Sequence, residues 1–303
     1  MHKLFAPTTE VNDASFIEDI HYLRQENNTK ATGGGSADAY SDYLSVLVSY
    51  FFNFLSTLAN VTIGMMNYWV QFKMADFNNA TVRNVEKKID KMKERIEKDS
   101  YLSMSGVLVP CPDGFNGNFP QYVDTLMANS ATVFDNAFRM ADDLQVIVTE
   151  FTNSKSARLA VRDYSKMIDT ARKVRESQEK MFLDNFSTGS NQRLRFDKMF
   201  EMKTDVVPTL NKTVDLYKYV NKYSVDAIKA RAAELAKRID VLIAIQKKAS
   251  KEEMRDSKVA FLGISEYTLE VARQLEHVGK FMVRAEMAFV VTSNLSERMT
   301  SQT

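Results

Sequence analysis

Between Tyr43 and Phe72 lie thirty consecutive residues without a charge, YLSVLVSYFFNFLSTLANVTIGMMNYWVQF. A bilayer-crossing helix needs about twenty apolar residues, so length alone permits a membrane span. The polar residues within the run are not scattered. Ser45, Ser49, Asn53, Ser56, Asn60, Gly64, Asn67 and Gln71 fall at steps of 4, 4, 3, 4, 4, 3 and 4, an eleven-residue repeat that draws one continuous stripe along a helix with a slight right-handed drift. Phe51, Phe52, Leu55, Leu58, Met65 and Trp69, with Phe54, Met66 and Tyr68, fill the remaining apolar face.

Two situations suit a wide apolar arc with a narrow polar stripe. In a soluble bundle the arc is core, and the small residues of the stripe let another helix approach closely. In a membrane assembly the arc meets lipid and the stripe forms a helix interface or lines a wet lumen. Three asparagines on a lone lipid-exposed helix would be costly, so a simple anchor is disfavoured. A packed core helix is the first expectation, and insertion in company with other helices is the second.

Breakers are scarce: 10 Gly and 5 Pro in 303 residues, below average usage. The chain is therefore expected to be all-α, an elongated bundle of about five long helices with coiled-coil-like packing. Residues 1–36 end in KATGGGSAD and predict a flexible N-terminal arm, with one short helix around Ser15 to Gln25. Residues 37–303 then form a single helical bundle. Residues 37–98 contain no proline and only Gly64, which predicts one long helix or a pair, with a weak break at DFNNAT. Within it Val82, Val85, Ile89, Met92 and Ile96 make a narrow apolar seam, expected to project or to pair as a coiled coil.

Residues 105–120, SGVLVPCPDGFNGNFP, are dense in Pro, Gly and Asn and predict a turn-rich loop containing at most a small hairpin. Helices are expected over 121–152, 155–186, 208–248 and 250–296. The first carries Met127, Ala131, Phe134, Phe138 and Ala141 on its expected inner face, and the second Val161, Tyr164, Ile168 and Ala171. Pro208 suits a first helical turn, after which Ile228, Ala232, Leu235, Ile239 and Leu242 form a seam. Ser250 and Glu253 fit a capping box before a face of Ile264, Tyr267, Val271, Leu275, Val278, Met282, Ala285 and Phe289. Residues 191–207 leave a short helix or an extended connection open.

Chemistry is harder to find. The three histidines, His2, His21 and His277, supply no pair four residues apart, and Cys111 has no second cysteine, so no catalytic, cofactor or metal site is expected. GGGS at 33–36 lacks the lysine of a phosphate loop. PDGFNGN at 112–118 lacks the acidic spacing of a calcium loop. Forty basic and thirty-nine acidic residues leave a net charge of +1, too little for a global field toward nucleic acid or a bilayer. Locally, residues 99–153 hold seven acids and one base, whereas 154–203 hold twelve bases and seven acids. Attraction between two adjacent helices is the simpler account, and nucleic-acid contact through the basic block would not be sequence-specific. The acidic start of the chain predicts no secretory leader.

The acidic arm TTEVNDASFIEDIHYLRQENN, the GGGS joint, the uncharged aromatic helix and the Met- and Asn-rich long helices together resemble internal or structural virion proteins of large tailed bacteriophages. That resemblance implies a non-enzymatic particle component, located in the virion, with copies of itself and other virion proteins as partners. A second resemblance is to α-helical pore-forming toxins, through the helix lengths and the uncharged run. It implies a membrane-inserting channel or pore component.

Overall fold

The computed structural model describes residues 79–97, 108–110, 115, 117–153, 164–183, 193–222, 225–248 and 251–301. The chain divides into two units, Met1–Val48 and Ser49–Thr303, and every described residue belongs to the second. The expected arm, the polar stripe from Ser45 to Gln71, the apolar face from Phe51 to Trp69, and Cys111 all lie outside the described residues.

Those residues are all-α apart from one short strand pair. In chain order they form α1 (Asn79–Glu97), β1 (Leu108–Pro110), α2 (Phe119–Asn153), α3 (Tyr164–Leu183), β2 (Arg193–Arg195), α4 (Phe196–Met199), a 3-10 turn (Lys203–Asp205), α5 (Val206–Lys222), α6 (Val225–Lys248) and α7 (Lys251–Ser301). Helix α7 has 51 residues, or ~76 Å at about 1.5 Å per residue. Helices α1, α2, α3, α5 and α6 all pack against it, which makes α7 the spine of the unit. Its expected face, from Ile264 to Phe289, is buried throughout.

The helix also runs past its expected end at 296. Leu295 and Met299 extend the apolar face by another turn and are buried. The guanidinium of Arg95 on α1 donates to the carbonyl of Met299, and Lys88 lies 3.7 Å from Glu297. The α1 seam, expected to project or to pair, is buried inside this chain. Val82, Val85, Ile89, Met92 and Ile96 are all buried, and α1 packs on α7 and α5.

Two other expectations need correction. The buried face of α2 is Tyr122, Val123, Leu126, Val133, Phe134, Ala137, Met140, Leu144, Ile147 and Val148. Met127 is exposed, so of the five expected inner residues only Phe134 is fully buried. Apolar residues recur at heptad spacing along two neighbouring rows of this helix, and the row one residue earlier, from Leu126, is the more completely buried. The range 208–248 is occupied by two helices in succession. Asn221 and Ser224, whose side chains compete for backbone hydrogen bonds, flank the junction in the sequence. Both helices follow one track along α2: Lys212 pairs with Asp124 at 2.7 Å and Tyr219 meets Phe134, then Arg231 on α6 reaches Phe138 and Asp142.

Among the described residues β1 makes no local hairpin. Strand β1 pairs antiparallel with β2, with Leu108 opposite Arg195 and Pro110 opposite Arg193, and Arg298 of α7 donates to the Leu108 carbonyl. Phe115, Phe119, Tyr122, Phe196 and Phe200 are buried together beside this pair. Helix α2 starts where Asn118 Oδ1 accepts from the Gln121 amide at 3.0 Å, a side-chain N-cap. Just before it Gly117 adopts φ +112°, and a Cβ there would lie 2.9 Å from the Lys198 carbonyl oxygen. Left-handed backbone and a fixed backbone neighbour both oppose a side chain. Gly117→Ala is therefore expected to cost about 1–3 kcal/mol, measurable by urea denaturation.

Candidate functional site

Most of the apolar seams simply fill the core, but one helix pair buries charge. Around Tyr267 to Ala272, α7 is buried on every side, because helices surround it. Any polar residue there must find a partner within the bundle. Glu270, Gln274 and His277 step by 4 and 3 along α7, while Ala171, Arg175, Gln178 and Phe182 step by 4, 3 and 4 along α3. Helices α3 and α7 run parallel, as the pairs Tyr164–Tyr267 and Phe182–Phe281 show. The two stripes therefore meet rung by rung. At the near end, Gly263 of α7 admits the Tyr164 ring to 3.0 Å from where a Cβ would stand.

Arg175 Nε donates to Glu270 Oε1 at 3.0 Å and Nη2 reaches Oε2 at 3.5 Å. Gln274 Nε2 donates both to Glu270 Oε1 at 3.0 Å and to the Ala171 carbonyl at 3.1 Å, and Arg172 stands 3.8 Å from the other Glu270 oxygen. Desolvation pulls the Arg175 guanidinium down. The hydrogen bond and charge of Glu270, with Glu179 and Glu176, outweigh that and hold it above its ordinary value.

The second rung centres on His277, whose side chain has no exposed surface. Nε2 is 3.1 Å from Gln178 Oε1, the ring stacks on Phe182, and Nδ1 lies 3.4 Å from Glu179 Oε1. That last contact is close enough for charge attraction but is not aligned as a hydrogen bond. The His277 ring holds the Glu179 carboxyl down from 4.5 to about 2; partial burial opposes this, and Lys280 and Arg175 assist.

A folded carboxyl that titrates below the unfolded one stabilises the fold above the ordinary carboxylate range, and that stabilisation is lost as protons bind. The bundle should lose about 1–3 kcal/mol through Glu179 as pH falls from about 4.5 toward about 2. Denaturation of wild type and Glu179→Gln checks this: their difference should be full above the ordinary carboxylate range, at about pH 6, and vanish near the acid limit.

The ladder also opposes sliding. A heptad slip of α3 along α7 would keep apolar residues in contact but would leave Arg175 and Glu270 buried without each other, a state that costs several kcal/mol.

Among the described residues, charges of the stretches 99–153 and 154–203 also pair with the later helices. Asp124 and Asp142 of acidic α2 pair with Lys212 of α5 and Arg231 of α6. Arg172 and Arg175 of basic α3 turn inward to Glu270 of α7. A shallow hollow of about 440 Å³ on α2 is lined by Asp135, Asn136, Phe138, Arg139, Asp142 and Asp143. There Arg231 covers the Phe138 ring at 4.1 Å, so these groups fasten α6 to α2.

Among the described residues no cluster of His, Cys, Asp and Glu could hold a metal ion, and no helix is long and apolar enough to cross a membrane. Comparisons with protein-family models, curated proteins and solved structures gave no match.

Proposed function

We propose that the chain is a non-enzymatic structural or assembly protein, a phage virion component by its sequence resemblance, acting through helix–helix oligomerisation. The observation that supports it most is the use made of buried polar groups. Arg175, Glu270 and Gln274 engage one another and His277 engages Gln178 across two helices, which stiffens a strut. Continuous 3-and-4 seams at 82–96, 228–242 and 264–289 support coiled-coil-like packing of the bundle. Sedimentation velocity across a wide concentration range tests the reading. Species larger than the 34.5 kDa chain are expected, and a monodisperse monomer at every concentration would contradict it.

The charge-free run from Tyr43 to Phe72 favours a second reading, a membrane-inserting helical channel or pore component. Flotation with liposomes distinguishes the two. Association of the full chain, before or after acid or detergent triggering, favours insertion, and its absence favours the structural reading.

A further inference from the structure

The chain of amide contacts leading to His277 has a fixed end. The Thr125 backbone carbonyl can only accept, and Asn129 Nδ2 donates to it at 2.8 Å. Asn129 therefore turns Oδ1 toward Gln178, whose Nε2 donates to it at 3.4 Å. Gln178 is left presenting Oε1 to His277 Nε2 at 3.1 Å, so Nε2 must carry a hydrogen. A neutral ring would then point the bare Nδ1 lone pair at the Glu179 carboxylate 3.4 Å away, which is repulsive. We infer that His277 carries a proton on both ring nitrogens in the packed bundle, and that this second proton latches α3 to α7.

The surrounding charges fit. Helix α3 contributes Glu179, with Arg175 at 3.9 Å from its other oxygen and Glu176 one residue before it. On α7 itself, Lys280 lies 2.9 Å from Glu276 and 3.9 Å from the Glu179 oxygen beside His277, and Arg284 sits over the Phe182 ring that stacks on His277. Helix α2 offers uncharged Asn129 and the Tyr122 hydroxyl, which donates to the Arg284 carbonyl. Its acids Asp124 and Asp142 face α5 and α6. Glu179 is thus the anion nearest to the ring. Losing the proton turns attraction into repulsion at the centre of the α3–α7 contact, next to the apolar pair Phe182 and Phe281.

The test is ring-nitrogen NMR of the full chain with labelled histidine, the His277 signals being identified by their loss in His277→Gln, alongside denaturation as pH rises from about 6 to about 8. Both nitrogens are expected at protonated positions at the lower pH, and the folding constant should fall by up to about tenfold per pH unit as the proton leaves. In Glu179→Gln, a side-chain N–H can face Nδ1, so the ring should become the neutral Nε2–H tautomer and the alkaline loss should flatten. A neutral wild-type ring at the lower pH, or an undiminished alkaline loss in Glu179→Gln, would overturn the latch.

Discussion

Glu270→Leu is expected to destabilise the bundle by about 3–5 kcal/mol, because it strands a buried guanidinium. Glu270 has 1% of its side chain exposed and Arg175 10%, so water cannot replace the lost partner. Arg175→Met alone should cost less, because Arg172 at 3.8 Å and Gln274 still face the carboxylate. The double variant Arg175→Met/Glu270→Leu removes both charges and substitutes apolar side chains of comparable size. It should recover most of the loss, since such replacements are often neutral or stabilising. Equilibrium denaturation of the four proteins gives the coupling directly. A double variant as unstable as the sum of the singles would mean that the two residues do not act as a pair.

The second large effect is expected at Phe281. Its ring is fully buried and lies 5.9 Å from Phe134 on α2 and 5.7 Å from Phe182 on α3. Phe281→Ala should cost about 3–5 kcal/mol through lost burial and the cavity left behind, with the two aromatic contacts contributing to the upper part of that range. Phe281→Leu should cost appreciably less, because more of the volume is kept. Thermal and urea unfolding would measure both. Equal losses for alanine and leucine would show that ring geometry outweighs volume at this junction.

The apolar seams were the legible part of the fold. Ile228 to Leu242 and Ile264 to Phe289 are buried as their spacing predicts, because a long helix exposes its heptad pattern in a single sequence. On α2 the same method chose the wrong neighbouring row. Met127 and Leu126 both begin a heptad of apolar residues, and only the placement of the surrounding helices decides between them. Pairing of β1 with β2 was not legible. Each strand has three residues, and Leu108 pairs with Arg195 across two intervening helices, whereas local pattern speaks only to near neighbours.

The polar ladder was missed for a related reason. Arg175, Gln178, Glu270 and Gln274 read as solvated helix positions when each helix is taken alone. The available signal was their spacing: Glu270, Gln274, His277 and Phe281 step by 4, 3 and 4 immediately beside the apolar row Val271, Leu275, Val278 and Met282. A polar row that shadows a seam at its own period marks a helix with a second partner.

Hydrogen exchange of the full chain tests most directly whether α7 is the spine. Amides from Ile264 to Met299 should be among the slowest, and the facing stretches of α2, α3 and α5 should open together with them in one cooperative event. Rapid exchange along α7, or opening of α7 while α2 and α5 stay protected, would contradict a bundle organised around it.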